Sequence, residues 1–482
     1  MTTVRSRPER RTRTQAQTRS AGPSRLAAVG PVFARLGGWL ARPLASFHLV
    51  VTIAVLLTVL GLVMVLSASS VESYADGGSA YSMFTQQAMY AALGTALFYL
   101  ALRLPVRLLR AAAFPLFAGS VTLLVLVLIP GIGVEAQGAR RWFMLGPVSI
   151  QPSEIVKVAL ALWGAHLLAV RRVDRAGWRQ LVVPLVPAAV FVCVLVVLQP
   201  NLSTAIAIGI ILAALMWFGG LPARMFLSVV AAGATGAVLL ALSAGYRSDR
   251  MKAFFNPGHD PQGIGYQARQ AQFSLADGHW FGVGLGQSRA KWSYLPNSHN
   301  DFIFAIIGEE LGFLGGLALI ALFALFAYIG LRIAARNVDP FLQLLAATGT
   351  VWITAQAFIN IGYVVGLLPV TGQQLPLVSY GGSSLAITLF MFGLIASAAR
   401  HEPESIAALA AGQDGRFSKL LRLPKPQPYT SPRRPSATRR PAVRRSPAPA
   451  GGLRSAAPRA GNGRSRGPAA RPAGYRERGS VR

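Results

Sequence analysis

The sequence predicts an all-α polytopic membrane protein of about ten transmembrane helices, with a large extracytoplasmic loop between the seventh and eighth and a disordered basic tail at each end. Three observations predict this class. The 482-residue chain is 53% hydrophobic with a mean hydropathy of +0.46, yet its formal net charge is +30. That combination does not suit a soluble globule; it suits a membrane bundle with basic ends. Apolar runs such as SFHLVVTIAVLLTVLGLVMVLSA and VPLVPAAVFVCVLVVL can each cross roughly 30 Å of hydrocarbon. The excess charge sits at the ends, +8 over residues 1–45 and +14 over residues 401–482.

Residues 1–45 are polar and Arg-rich, and no small-residue cleavage site follows the first apolar run, so this start is not read as a secretory signal peptide. Residues 46–403 form the membrane domain. Helices are placed at 47–67, 82–103, 112–130, 153–170, 181–199, 202–219, 224–245, 302–330, 341–366 and 384–400. The short links RLPVRLLR, RRVDRAGWR, GLPAR and LRIAARNVDP are basic and fall on the side of both tails, which places the termini in the cytoplasm. Residues 404–482 are rich in Pro, Arg, Ala and Gly and cannot bury enough apolar surface to offset the entropy of ordering. Anionic lipid or an acidic cytoplasmic protein explains such tails more simply than nucleic acid does. The one cysteine, Cys193, lies in an apolar run, which excludes an internal disulfide and a thiolate metal site.

The other side of the bundle receives the loops 131–152, 246–301 and 367–383, and the polar motifs gather there. In GARRWFMLGPVSIQPSEIVK, a helix start accounts for Pro152, Ser153 and Glu154. Glu154 and Lys157 are three apart and can pair on one face. A Lys one turn inside a span is costly unless it is paired or faces water. Arg140, Arg141, Trp142 and Gln151 are left over, and an anion-facing arginine acting with Lys157 accounts for them. The hairpin QPNLST is either a capped turn or a functional site. In the loop 246–301, Arg247, Arg250, Lys252, Arg269, Arg289 and Lys291 give a slightly positive balance that suits an anionic ligand such as a pyrophosphate. FGVGLG has the glycine spacing of a nucleotide loop but no preceding strand, which excludes a dinucleotide site. Gly381 and Gly382 in TGQQLPLVSYGGSS permit a sharp re-entrant bend.

LPNSHNDFIFAIIGEELG runs from a polar loop into a span and carries Asp301, Glu309 and Glu310. On a helix, Asp301 and Glu309 would lie roughly 12 Å apart along the axis and about 80° around it. Glycosidase carboxylates sit about 5–10 Å apart, so a hydrolase is disfavoured. A single outer-facing Asp among cations suits accepting a hydroxyl proton, or holding a metal beside a phosphate. Glu309 and Glu310 lie deeper and are expected to contact polar groups of other spans. His299 reads as a hydrogen-bonding loop residue or a ligand. No Ser-His-Asp set, zinc spacing or P-loop occurs.

Taken together on ten spans, GARRW…QPSEIVK, QPNLST, YQARQ, LPNSHNDFIFAIIGEELG and TGQQLPLVSYGGSS resemble the SEDS family of bacterial cell-wall glycan polymerases, most closely its cell-division members, over residues 45–403. The resemblance implies a peptidoglycan glycosyltransferase that polymerises lipid II on the outer leaflet at the division septum. Its partners would be a class B penicillin-binding protein transpeptidase and other divisome proteins. The basic tail could dock an acidic cytoskeletal protein such as FtsZ. It places the essential acid at Asp301, as general base or metal ligand, with Mg or Mn as the cation and no organic cofactor. The substrate contacts it suggests are Arg140, Arg141, Trp142, Gln151, Glu154, Lys157, Gln199, Asn201, Gln267, Gln270, His299, Ser379, Tyr380, Gly381 and Gly382. Asn201 stands where the family usually has Asp, and Asn cannot titrate. A lipid II flippase and a non-catalytic divisome scaffold are the alternative readings.

Overall fold

The computed structural model describes residues 42–75, 79–136, 138–171, 177–243, 245–255, 263–292, 295, 298–412 and 421–430. Residues 1–429 form one compact unit, and of the second, residues 430–482, only Thr430 is described. The expected disorder of residues 1–41 and 431–482 therefore lies outside the described residues. Every predicted span is a helix: α1 (Ala45–Ala75), α2 (Ser82–Arg103), α3 (Val106–Leu128), α4 (Pro152–Val170), α5 (Trp178–Leu198), α6 (Leu202–Phe218), α7 (Ala223–Ser243), and then α10 (Ile303–Arg336), α11 (Pro340–Val364) and α12 (Ser383–Arg400). Six of these, α1, α3, α4, α10, α11 and α12, are long and apolar enough to cross a membrane, and α5, α6 and α7 hold shorter apolar stretches.

The centre of the bundle is α12, buried nearly all round, whereas α3 is buried on one side only. Small residues let α2 and α12 meet closely. A Cβ added to Gly94 would lie 2.6 Å from the Leu389 side chain, and one added to Gly393 would lie 2.7 Å from the carbonyl oxygen of Phe98. Close backbone approach is how apolar helices gain attraction where lipid supplies no hydrophobic drive.

Four features depart from the sequence reading. The third span begins at Val106 rather than 112, so the basic link RLPVRLLR is mostly helix. The loop 131–152 is a sheet of β1 (Val134–Ala136), β2 (Ala139–Leu145) and β3 (Val148–Ile150), antiparallel in that order. Its register pairs Glu135 with Arg140 and Met144 with Ser149. The loop 246–301 contains two helices, α8 (Gly245–Phe255) and α9 (Ile264–Asp277). Beyond 404 the chain is not all tail: α13 (Pro403–Ala410) follows the last span, and residues 421–429 lie against the bundle, with Leu423 packed on its core.

The acidic pair of GEELG has a structural job. Helix α10 breaks at Gly312, where φ is 72° and ψ is −174°. Unpaired backbone groups inside a membrane protein must find partners within the protein. Here the loop after α9 supplies them. The N–H of Phe313 donates to the carbonyl of His279 (2.8 Å), and the N–H of Val283 donates to the carbonyl of Glu309 (2.9 Å). At the crossing, a Cβ on Gly282 would lie 2.1 Å from the Glu310 carbonyl oxygen. The Glu309 carboxylate accepts from Ser288 Oγ (2.7 Å) and the Arg289 N–H (2.6 Å). Glu310 accepts from Ser67 Oγ of α1 (2.6 Å). The expectation of contacts to other spans thus holds for Glu310, while Glu309 clasps the loop.

Candidate active site

One end of the bundle opens into a cavity of 760 Å³. The N-terminal ends of α2, α4, α6 and α12 converge there, with β2, α8 and the segments before α10 and α12. Ten of the sequence-predicted residues line it: Arg141, Trp142, Gln151, Glu154, Lys157, Asn201, Asp301, Tyr380, Gly381 and Gly382.

Strand β2 delivers the first two. Successive strand residues point to opposite faces, which separates the paired arginines. Arg141 turns into the cavity, while Arg140 turns away to pair with Glu135 at 3.3 Å. Helix α4 delivers the next group. Its first turn holds Glu154, and Lys157 reaches back to place Nζ 2.6 Å from Glu154 Oε2, with both side chains more than nine-tenths buried. The ammonium also sits 4.9 Å from the centroid of the Trp352 ring. Burial of a lysine is tolerated here because it is paired and stacked.

Asp301 is fixed by its backbone. Asn360 Nδ2 donates to the carbonyls of Asp301 (2.9 Å) and Gln373 (2.7 Å), and the single Tyr363 hydroxyl proton is shared between the same two carbonyls, each 2.8 Å from Oη. One pair of α11 side chains therefore bolts the Asp301 loop to the segment ahead of α12. Arg250, from α8, faces the carboxylate. Its Nη1 and Asp301 Oδ2 each lie 3.4 Å from the position a Cβ would occupy on Gly372, whose φ is +73°. Burial holds the Asp301 carboxyl above its ordinary value, while the Arg250 and His299 charges act in the opposite direction. Counting lining charges, Arg141, Lys157 and Arg250 stand against Glu154 and Asp301, an excess of one positive charge.

The rest of the wall is neutral and polar. Tyr380 donates its hydroxyl to Gln86 Oε1, and burial with the neighbouring Tyr90 pushes that phenol up to about 12. Gln87 accepts from the Gly381 N–H (3.4 Å) and donates to the carbonyl of Ser379 (3.1 Å). The bend at Gly381 and Gly382 is thereby tied to α2.

Six predicted contacts do not line the cavity: Arg140, Gln199, Gln267, Gln270, His299 and Ser379. Gln199 donates to the carbonyl of Leu124 on α3 (3.3 Å), a tie between spans. Gln267 and Gln270 ride on α9, which packs against α10. Ser379 Oγ accepts from the Leu375 N–H (2.8 Å) and closes its own turn. His299 stacks edge-on against Tyr380, with ring centroids 5.6 Å apart, and its carbonyl accepts from the Tyr380 N–H (3.0 Å). Asn201 is the N-cap of α6, its Oδ1 accepting from the Thr204 N–H (3.2 Å), so the capped-turn reading describes its side chain although it borders the cavity. Sequence reasoning counted Arg250 among loop charges and did not place it in the site. Gln86, Tyr90, Gln356, Gln373 and Gln374 also line it, and the amides of TGQQ were the available signal.

Among the described residues no group of three or more His, Cys, Asp or Glu side chains could hold a metal by itself. Mg²⁺ uses one or two carboxylates together with substrate phosphates. Beside Asp301, Asn300 Oδ1 and Thr371 Oγ1 are buried cavity-wall oxygens with no hydrogen-bond partner. That hard-oxygen set fits a divalent cation shared with a phosphate.

Comparison with known proteins matches residues 47–404 to the cell cycle protein family FtsW/RodA/SpoVE. A Mycobacterium tuberculosis (strain ATCC 25618 / H37Rv) protein named Probable peptidoglycan glycosyltransferase FtsW is 58% identical over 399 residues, 83% of this chain and 76% of the relative. A subunit of a peptidoglycan synthase complex, solved for its coordination of polymerization and crosslinking, superposes with a TM-score of 0.60 at 29% identity, over 76% of this chain and 99% of the other. The rod shape determining protein RodA of Thermus thermophilus superposes at 0.54 and 29% identity, with the same coverage.

Proposed function

The chain belongs to the FtsW/RodA/SpoVE family of cell cycle proteins, and from that premise we propose that it is a multi-pass membrane peptidoglycan glycosyltransferase that polymerises lipid II into β-1,4 glycan at the septum. The observation that carries the reading is the single cavity that joins the Asp301 carboxylate to Arg141, Lys157 and Arg250.

Asp301 takes the proton of the acceptor's sugar 4-hydroxyl as that oxygen attacks the donor's anomeric carbon. One displacement turns an α-linked pyrophosphate into a β-linkage. A carboxylate held above its ordinary value is a stronger base, and base assistance is worth about 10²–10⁴-fold in rate. Negative charge grows on the leaving pyrophosphate, and fixed cations at that spot stabilise it without reorganisation. Arg141 and Arg250 carry most of this role, since Glu154 already balances Lys157. The amide wall of Gln356, Gln373 and Gln374 suits the hydroxyls and acetamido groups of the disaccharide. A divalent cation held by Asp301, Asn300 and Thr371 would supply further charge for the pyrophosphate.

The cavity lies at one end of the bundle rather than at its middle, which favours chemistry over alternating access. By analogy with the peptidoglycan synthase complex, a penicillin-binding transpeptidase would crosslink the product. The termini are assigned to the cytoplasm, the lipid-linked substrate to the opposite leaflet, and the basic tail to an acidic partner such as FtsZ. The test is purified chain, with and without a transpeptidase, reconstituted with labelled lipid II. Polymer supports the reading; leaflet exchange without polymer overturns it.

A further inference from the structure

The proline-rich stretch LRLPKPQPY, residues 421–429, lies beyond the family match, yet it is seated on the bundle at the end away from the cavity. Three helices hold it. Tyr99 Oη of α2 donates to the carbonyl of Leu421 (3.1 Å), and Arg103 donates to that same Tyr99 oxygen (3.1 Å). Arg400, at the end of α12, donates to the carbonyl of Pro424 (3.0 Å). The Tyr429 ring lies under Arg110 of α3, 5.7 Å from ring centroid to guanidinium carbon. Arg110 is itself set by Asp339 at 2.5 Å and by the Phe341 ring. Leu423 adds an apolar anchor. Three prolines in nine residues fix much of the backbone before docking, which lowers the entropy lost on binding.

Two of the three helices that hold this segment, α2 and α12, also build the cavity. The far end of α2 carries Gln86, Gln87 and Tyr90, and the far end of α12 starts at the Gly382 bend. Helical rise puts Tyr99 about 20 Å from Gln86, and Arg400 about 24 Å from Ser384. The close Gly94 and Gly393 contacts join the two helices between those ends.

We infer that the ends of α2, α3 and α12 form a docking surface for a short proline-rich, tyrosine-ended peptide, that its resident occupant is residues 421–429 of this chain, and that the docked strap holds the two helices in the arrangement that shapes the cavity. The coupling to catalysis rests on the glycosyltransferase reading; the docking does not.

The experiment uses the full chain in membranes with Tyr429→p-benzoylphenylalanine, irradiated and mapped by mass spectrometry, with the crosslink compared in Tyr99→Phe and Leu423→Asp backgrounds. The unmodified chain and the two single variants are assayed for lipid II polymer alongside. The expected crosslink lies within the same chain, on the α3 peptide that carries Arg110. Tyr99→Phe removes one hydrogen bond and lowers the docked-to-undocked ratio roughly fivefold. Leu423→Asp places a charge in the apolar contact and abolishes the crosslink, with polymer yield falling in step. Crosslinks only to lipid or to other molecules overturn the docking surface. A crosslink that Leu423→Asp removes with no change in polymer overturns the coupling. Should the unmodified chain make no polymer even with a transpeptidase present, the glycosyltransferase reading fails, and the crosslink alone still decides the strap.

Discussion

Replacing Lys157 by Met separates the structural from the chemical role of the α4 ion pair. The pair is closed at 2.6 Å, and both side chains are more than nine-tenths buried. Removing the cation strands the Glu154 carboxylate in a low-dielectric wall, which costs about 3–5 kcal/mol for a buried pair. The lost stacking on Trp352 at 4.9 Å adds up to about 2 kcal/mol. Replacing both charges, Glu154→Gln with Lys157→Met, removes the stranded anion, so the double variant should recover at least about 2 kcal/mol relative to Lys157→Met alone. Thermal unfolding of the wild type, the two single variants and the double variant in detergent closes the cycle. Polymer synthesis is expected to stay below wild type in the double variant, by less than the roughly 10²-fold that a lost unpaired donor costs, because Glu154 already balances the missing cation. A double variant as unstable as Lys157→Met shows that the pair is not what stabilises α4. One that is stable and fully active shows that Lys157 takes no part in the reaction.

Further consequences follow from other parts of the site. Asp301 works as a base only when ionised and is held above its ordinary value, so activity should fall as pH drops, with the acid limb above the usual carboxylate range of about 4. Arg250→Gln removes the charge that lowers this group and should move the limb to higher pH; an unmoved limb would mean that the two groups do not interact. Asn201 caps α6, so Asn201→Asp should preserve folding and activity, whereas Asn201→Ala should cost about 1 kcal/mol in thermal unfolding. Gly312→Ala places a methyl 2.3 Å from the Gly282 nitrogen at a left-handed φ, and should abolish accumulation of folded protein, read by size-exclusion chromatography.

The ten helices were legible because each is a run of apolar residues bounded by basic or glycine-rich links, and the cavity was legible in outline because its motifs fell on one side of that topology. What escaped was set by tertiary contacts. The strands of the 131–152 sheet are 3 or 7 residues long, too short to show a period, and only pairing reveals that Arg140 and Arg141 face opposite ways. Helix α8 carries Arg250 to Asp301 across about 50 residues of sequence, a closure that spacing cannot disclose. The GEELG carboxylates were expected to contact polar groups of other spans, and sequence could not say which. Their partners, Ser288, the Arg289 amide and Ser67, show them bracing a broken helix. Gln199 and Ser379 do not line the cavity, and neighbouring carbonyl and amide groups already engage them. The segment 421–429 looked like tail because its anchors are backbone carbonyls and one tyrosine, which composition does not register.

Everything functional in this account turns on the Asp301 carboxylate as the base of the cavity. A group whose value is raised by folding binds its proton more tightly in the folded state, so its ionised form opposes folding as pH rises through that value. Asp301→Asn should therefore leave the melting temperature at neutral pH unchanged or higher while cutting lipid II polymerisation by about 10²–10⁴-fold. Folded Asp301→Asn protein that makes polymer at the wild-type rate would contradict the account.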